Sequence, residues 1–247
     1  MFFWITTYRK PEENKKLSAG ERSYILQDEK EPLTKKLPWK SIISYKQTWG
    51  ICLSRFLTDP IWWFFLYWLP KYLNSNYHID LTTIGLPLIV IYVVSMGGSV
   101  FGGWFSSHLI KRGKNPLAAR KLTIFFMALL VVPIFFTSFT SNMWVAVALI
   151  SMATFAHQGY AANIFTIVSD IYPKNAIGSV TGLSGFAGAV GGVLFSGAVG
   201  LILQITGSYY VVFAIASLAY LLCWLSLYLL VPNNQKIEFF KETTLQL

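Results

Sequence analysis

The sequence predicts an all-α membrane protein with six transmembrane helices, and three observations carry that prediction. Apolar segments long enough to cross a bilayer as helices fill most of the chain after Thr48. Hydrophobic residues make up 54% of the 247 residues and charged ones 13%, about half the charged fraction of a soluble domain. The basic residues are gathered: ten of the twenty Lys and Arg precede Trp49, and five more fall within residues 111–121. Lys and Arg concentrate in cytoplasmic loops, so the net charge of +9 reads as a topology signal rather than a nucleic-acid surface.

Residues 1–7 are short, apolar and aromatic, with neither a basic leader nor a small-residue cleavage site, and read as the end of a membrane helix that begins elsewhere. Residues 8–46 are polar, with Pro11, Pro32 and Pro38, and read as a cytoplasmic linker. Within it, Ser18 and Glu21 have the spacing of a capping box, which predicts a surface helix over 18–27. Residues 47–231 form the expected transmembrane domain. Its first span covers 49–73, followed by a polar turn over 74–82. The second covers 84–110 and carries Gly98 and Gly102 four residues apart, a spacing that lets a neighbouring helix approach closely. A basic loop leads to the third span, 122–139, which contains Pro133; after a short turn comes the fourth, 143–171. The fifth, 177–205, holds two more glycine pairs, Gly178 with Gly182 and Gly188 with Gly192. Gly207 and Ser208 form a turn before the sixth span, 209–231, and residues 232–247 are a polar tail. An even number of spans puts both ends on one side. The linker, the 111–121 loop, Lys174 and the tail share that side, and only Lys71, His78 and Asp80 mark the other. Both termini are therefore expected in the cytoplasm, with the protein in the cell membrane.

The first span is not uniformly apolar. Arg55, Asp59, Trp63 and Tyr67 recur every four residues and share one helical stripe. A charge at membrane depth costs about 2.5–3.5 kcal/mol on insertion scales, and such residues usually face a wet cavity or a protein interior. Arg55 and Asp59 are thus candidates for a polar path, or for an ion pair that holds packing. The fourth span carries a second polar stretch with His157, Gln158, Tyr160 and Asn163. Neutral amides at mid-membrane suit a polyhydroxy ligand, because each hydroxyl donates and accepts; they serve equally as hydrogen-bonding cross-links between helices. His157 is a candidate proton relay on the same terms. Trp63 and Tyr67 offer ring faces on which a sugar can stack, whereas Trp68, beside Pro70 and Lys71, suits an interfacial belt. Cys52 and Cys223 lie in apolar segments, and neither they nor His78, His108 and His157 have metal-ligand spacing. No nucleophile elbow, phosphate loop or dinucleotide fingerprint occurs, so neither a cofactor nor an enzymatic activity is expected.

Three stretches, TWGICLSRFLTDPIWWFFLYWLPKYL, GGWFSSHLIKRGKNPLAARK and AHQGYAANIFTIVSDIYPKNAIGSVTGLSGFAGAVGG, together with the polar YRKPEENKKLSAGERSYI, resemble the major facilitator superfamily. More narrowly, they are similar to its anion:cation symporters, close to bacterial hexuronate transporters. The resemblance implies twelve spans in two halves, of which this chain would supply the central loop and the second half, with an N-terminal half as its partner. It implies proton-coupled uptake of a sugar-acid anion, with Trp63, Tyr67, Gln158 and Asn163 lining the cavity. It also assigns Arg112, Gly113, Arg120 and Lys121 to a cytoplasmic loop motif. Where that motif often has an Asp, this chain has Ser106 and Ser107, which leaves a charge-pair gate in doubt. Two other functions fit the same residues: a half-size transporter built from two copies, and a non-transporting sensor or assembly subunit.

Overall fold

The computed structural model describes residues 2–9, 14, 16–26, 38–80, 83–233 and 237. The rest of the expected linker, the end of the 74–82 turn and most of the expected tail lie outside the described residues. The chain divides into two units, residues 1–36 and 37–247. All regular structure among the described residues is helical.

The first unit holds α1 (Phe2–Thr7) and α2 (Ala19–Leu26). The start of α2 is set by the expected capping box. The Glu21 amide donates to Ser18 Oγ at 3.2 Å and the Ser18 amide to Glu21 Oε2 at 2.9 Å, so two otherwise unpaired helix-end donors are satisfied. The hydrogen bond donated by the Ser18 amide, joined by one from its hydroxyl, holds the exposed Glu21 carboxylate below its ordinary pKa of 4.5. A depressed carboxylate supports the fold above its unfolded pKa and loses that support as pH falls through the lowered value. The Ser18 amide proton resonance is expected to titrate with a midpoint below 4.5, and a Glu21→Gln chain should show no such titration.

The second unit contains α3 (Trp39–Ile43), α4 (Lys46–Tyr67), α5 (Leu69–Tyr77), α6 (Gly85–Lys111), α7 (Pro116–Val131), a 3-10 segment (Val132–Phe139), α8 (Met143–Ile171), α9 (Lys174–Thr206) and α10 (Tyr210–Leu230). Among the described residues, five stretches are long and apolar enough to cross a membrane: α6, α7 with its 3-10 extension, α8, α9 and α10. At 22 residues α4 has the length, but Lys46, Arg55 and Asp59 and its polar residues dilute its apolar character, so the composition that marks the other five as spans is missing. Large apolar side chains such as Val93, Val100, Val193, Leu201, Leu218 and Leu229 are exposed on these helices, as a lipid-facing surface requires.

Two boundaries differ from expectation. The single helix expected over 49–73 is broken at Trp68. Pro70 has no N–H to return to Leu66, and α5 starts afresh around it. Pro60, by contrast, sits inside α4 without ending it. The carbonyl it leaves without a donor, that of Phe56, lies so close to Gly191 of α9 that a Cβ there would sit 2.5 Å from the oxygen. The third span starts earlier than expected, at Pro116, because Asn115 caps α7 by accepting from the Leu117 and Ala118 amides at 3.0 and 3.3 Å. Arg120 and Lys121 are therefore helical residues and not loop residues. Pro133 then removes a donor, and the chain continues as a 3-10 helix to Phe139.

The bundle is built on two close helix pairs, α6 against α8 and α4 against α9, with α7 and α10 completing it. In the first pair, Gly98 and Gly102 lie directly on the α8 backbone at Phe155 and Gly159. In the second, Gly188 and Gly192 receive Asp59 and the Trp63 ring. Gly178 and Gly182, expected to form a third such contact, face open space. Phe64, Phe65, Ile124, Met127, Phe213 and Tyr220 belong to one continuous core joining α4, α7 and α10.

Candidate functional site

The stripe on α4 is real, and its floor is the glycine-rich face of α9. Arg55 Nη2 lies 2.8 Å from Asp59 Oδ2, and Nε donates to the same oxygen at 3.0 Å. The two side chains are 16% and 18% exposed, open enough to be reached and enclosed enough for the pair to be strong. Gly185 leaves room for the guanidinium, and Ser184 Oγ stands 3.5 Å from Nη1. On the other side, the Phe165 ring of α8 lies under Arg55, 5.0 Å from the guanidinium carbon. One to three turns further along α4 come Trp63, against Gly192, and Tyr67, which meets Trp63 edge-on at 6.4 Å and is 70% exposed.

The candidates on α8 part company. His157 is buried, its ring stacked on Trp62 at 4.8 Å and 7°, and its Nδ1 is 2.6 Å from the Tyr220 hydroxyl. Beside it the Tyr160 hydroxyl meets Ser54 Oγ at 2.9 Å, and Ser54 meets Cys223 Sγ at 2.8 Å. These groups tie α4, α8 and α10 together behind the stripe and do not open onto it. Gln158 is half-buried. With Arg55 against Phe165 and Trp62 against His157, the two helices run antiparallel in a register that puts Gln158 level with Trp62 and Trp63. Asn163 turns the other way. It is 1% exposed, and its amide donates to Gly159 O at 2.8 Å and Gly102 O at 3.0 Å. Expected at the ligand surface, Asn163 is instead a cross-link between α6 and α8, because both amide hydrogens are spent on backbone carbonyls.

The basic motif is split between two settings. Arg112 and Gly113 end α6 on the surface, Gly113 with a φ of +86° that favours glycine. Arg120 Nε meets Asp170 Oδ2 at the end of α8 at 2.5 Å, and the buried Lys121 donates to Val231 O at the end of α10. A cation at a helix C-terminus satisfies an orphan carbonyl and the helix dipole together. Three helix ends are thereby joined by two adjacent side chains. Arg120 thus takes its carboxylate partner from Asp170, fifty residues further along the chain.

Reading the sequence missed Phe165, Ser184, Ser54 and Tyr220. Ser54 and Thr58 are four apart in α4 and Tyr220 and Cys223 three apart in α10, spacings that mark a shared polar face. Phe165 carried no such signal, since an apolar ring in an apolar span looks like any other.

The chain was compared with known proteins. The sequence profile of the major facilitator superfamily matches residues 1–196 and 119–245. A hexuronate transporter of Escherichia coli strain K12 is 28% identical over 246 residues, covering 97% of this chain and 56% of the relative. The D-galactonate transporter of another Escherichia coli strain is 28% identical over 214 residues, 81% of this chain and 49% of the relative. A chloroplastic ascorbate transporter of Arabidopsis thaliana is 33% identical over 229 residues, 89% of this chain and 41% of the relative. The chain thus spans about half the length of the curated relatives it matches. With its apolar membrane-crossing helices, the all-helical fold and the profile match over nearly its whole length, the chain belongs to the major facilitator superfamily.

Proposed function

We propose that this chain forms one wall of a secondary active transporter that carries a sugar-acid anion such as a hexuronate, together with protons, across the cell membrane by alternating access. The observation that carries the reading is the partly open Arg55–Asp59 pair on α4, with Trp63 and Tyr67 further along the same stripe. A sugar acid needs a cation for its carboxylate, an amide for its hydroxyls and an aromatic face for its ring, and in this reading Arg55, Gln158 and the rings of Trp63 and Tyr67 supply them. Arg55 holds the carboxylate, in the place that Asp59 occupies when no substrate is bound. Asp59, released from its partner at membrane depth, takes up the proton that accompanies transport. The facing wall is a second six-helix half, rocking against this one, with both termini of this chain on the cytoplasmic side. The relatives named for hexuronate and galactonate transport support the substrate class.

The test is uptake of labelled D-glucuronate by membrane vesicles holding this chain together with an N-terminal half. Accumulation is expected under an inward proton gradient and is expected to collapse when a protonophore dissipates it. Uptake that ignores the gradient sinks the coupling, and no uptake of any sugar acid sinks the substrate class.

A further inference from the structure

Arg55 reaches two helices besides its own, and each meets it differently. Toward α9, its Nη1 donates to Ser184 Oγ at 3.5 Å, the outer limit of a hydrogen bond, and that hydroxyl itself donates to Thr181 O at 3.0 Å. A Cβ added at Gly185 would lie 3.3 Å from the same nitrogen, so α9 gives the guanidinium room but little hold. Toward α8, the guanidinium carbon stands over the face of the Phe165 ring, 5.0 Å from its centroid. A ring face attracts a cation over that distance. The two short contacts of Arg55, at 2.8 and 3.0 Å, both go to a single oxygen of Asp59. Phe165 is 48% exposed, so core packing accounts for only part of its surroundings.

A ligand carboxylate that takes the place of Asp59 removes both short contacts at once. The distant Ser184 hydroxyl and the Phe165 ring are then the protein groups that remain against the guanidinium. The ring suits that task. A guanidinium carries five N–H donors in a planar fork, which matches a carboxylate two bonds at a time. A carboxylate anchor would compete with the ligand for the charge, and a hydrogen-bonding anchor would occupy part of the fork. A ring face attracts the charge as a whole and supplies no lone pair, so the fork stays available to the ligand.

We infer that Phe165 is a positioning residue for Arg55: its ring face keeps the guanidinium in place while Asp59 lets go. The inference rests on the transport reading of Arg55 given above and adds to it the group that presents the cation. Phe165 acts through the arginine and not on the substrate, so it sets the affinity for the sugar-acid carboxylate and leaves the rate of carriage alone. A leucine occupies much of the same space but has no negative ring face.

The experiment measures uptake of labelled D-glucuronate over a range of concentrations, in membrane vesicles holding this chain together with an N-terminal half. Phe165→Leu is expected to raise KM about fivefold, with Vmax kept within about twofold. Phe165→Tyr, which keeps a ring face, is expected to retain the original KM. Singly, doubly and triply fluorinated phenylalanine at position 165 then separates charge attraction from packing, because fluorine draws electron density from the ring face and changes its bulk little. KM is expected to climb with each added fluorine while Vmax and the thermal unfolding midpoint stay constant. A KM that rises in Phe165→Leu but stays flat across the fluorinated series reduces the ring to packing and overturns the inference, as does an unchanged KM in all variants. The unmodified chain tells the two failures apart: if it takes up no sugar acid, the transport reading falls and takes the inference with it, whereas uptake that is indifferent to fluorine overturns the inference alone.

Discussion

A Gly98→Ala chain is expected to lose its folded bundle, although alanine is the better helix former. A methyl group at Gly98 falls on the Phe155 carbonyl of α8, and the backbone cannot move aside as a flexible side chain would. One helix turn on, a methyl at Gly102 would sit 2.5 Å from the Gly159 Cα, so α6 has no room to tilt away from the first clash. Separating the pair also breaks the bond from Asn163 to Gly102 and strands a buried amide. Overpacking costs about 1–3 kcal/mol where side chains can adjust, and a backbone-on-backbone contact belongs at or beyond the top of that range. Gly103, with open space at the same point, is the control. There, alanine should be neutral or stabilising by up to about 1 kcal/mol. Thermal unfolding in detergent, followed by size-exclusion chromatography, separates the two. Equal midpoints for Gly98→Ala and Gly103→Ala would remove the helix contact from the account.

The second large effect is on transport. Arg55→Ala is expected to cut sugar-acid uptake at least about 100-fold, equivalent to about 2.7 kcal/mol. Part of any loss could come from the unpaired carboxylate of Asp59, since breaking an enclosed ion pair is costly in itself. Arg55→Ala combined with Asp59→Ala separates the causes. Removing both charges should restore the yield of folded protein, because nothing is then left uncompensated, yet uptake should stay at the level of the single variant. Recovery of uptake in the double variant would reduce the pair to packing. Arg55→Lys keeps the charge but loses the planar fork, and an intermediate rate is expected from it.

These two cases show what could be read from the residue order. The four-residue spacing of Arg55, Asp59, Trp63 and Tyr67 was enough to put them on one stripe, because helical periodicity is a local property. The ends of α8 carry local signals, with Asn142 accepting from the Trp144 and Val145 amides at one end and Pro173 following the other. Pro60 and Pro70 were not distinguishable, since both are prolines in an aromatic run. What separates them is Gly191 on another helix, which lets the carbonyl freed by Pro60 approach the α9 backbone. Asn163 misled for a similar reason. It was grouped with Gln158 by polarity, but it lies one turn from Gly159, and it is the glycine that marks the face meeting α6. Likewise, the pairing of Arg120 with Asp170 joins residues fifty apart and depends on the course of α7 and α8.

The gap that Pro60 leaves in α4 also sets how that helix deforms. A rod stitched along every seam resists bending equally in all directions, whereas one with a single open seam yields toward or away from that side. In α4 the open seam faces Gly191, between the charged half that carries Arg55 and Asp59 and the aromatic half that carries Trp63 and Tyr67. Bending of α4 is therefore expected chiefly in the plane it shares with α9, which would change the spacing between the ion pair and the rings.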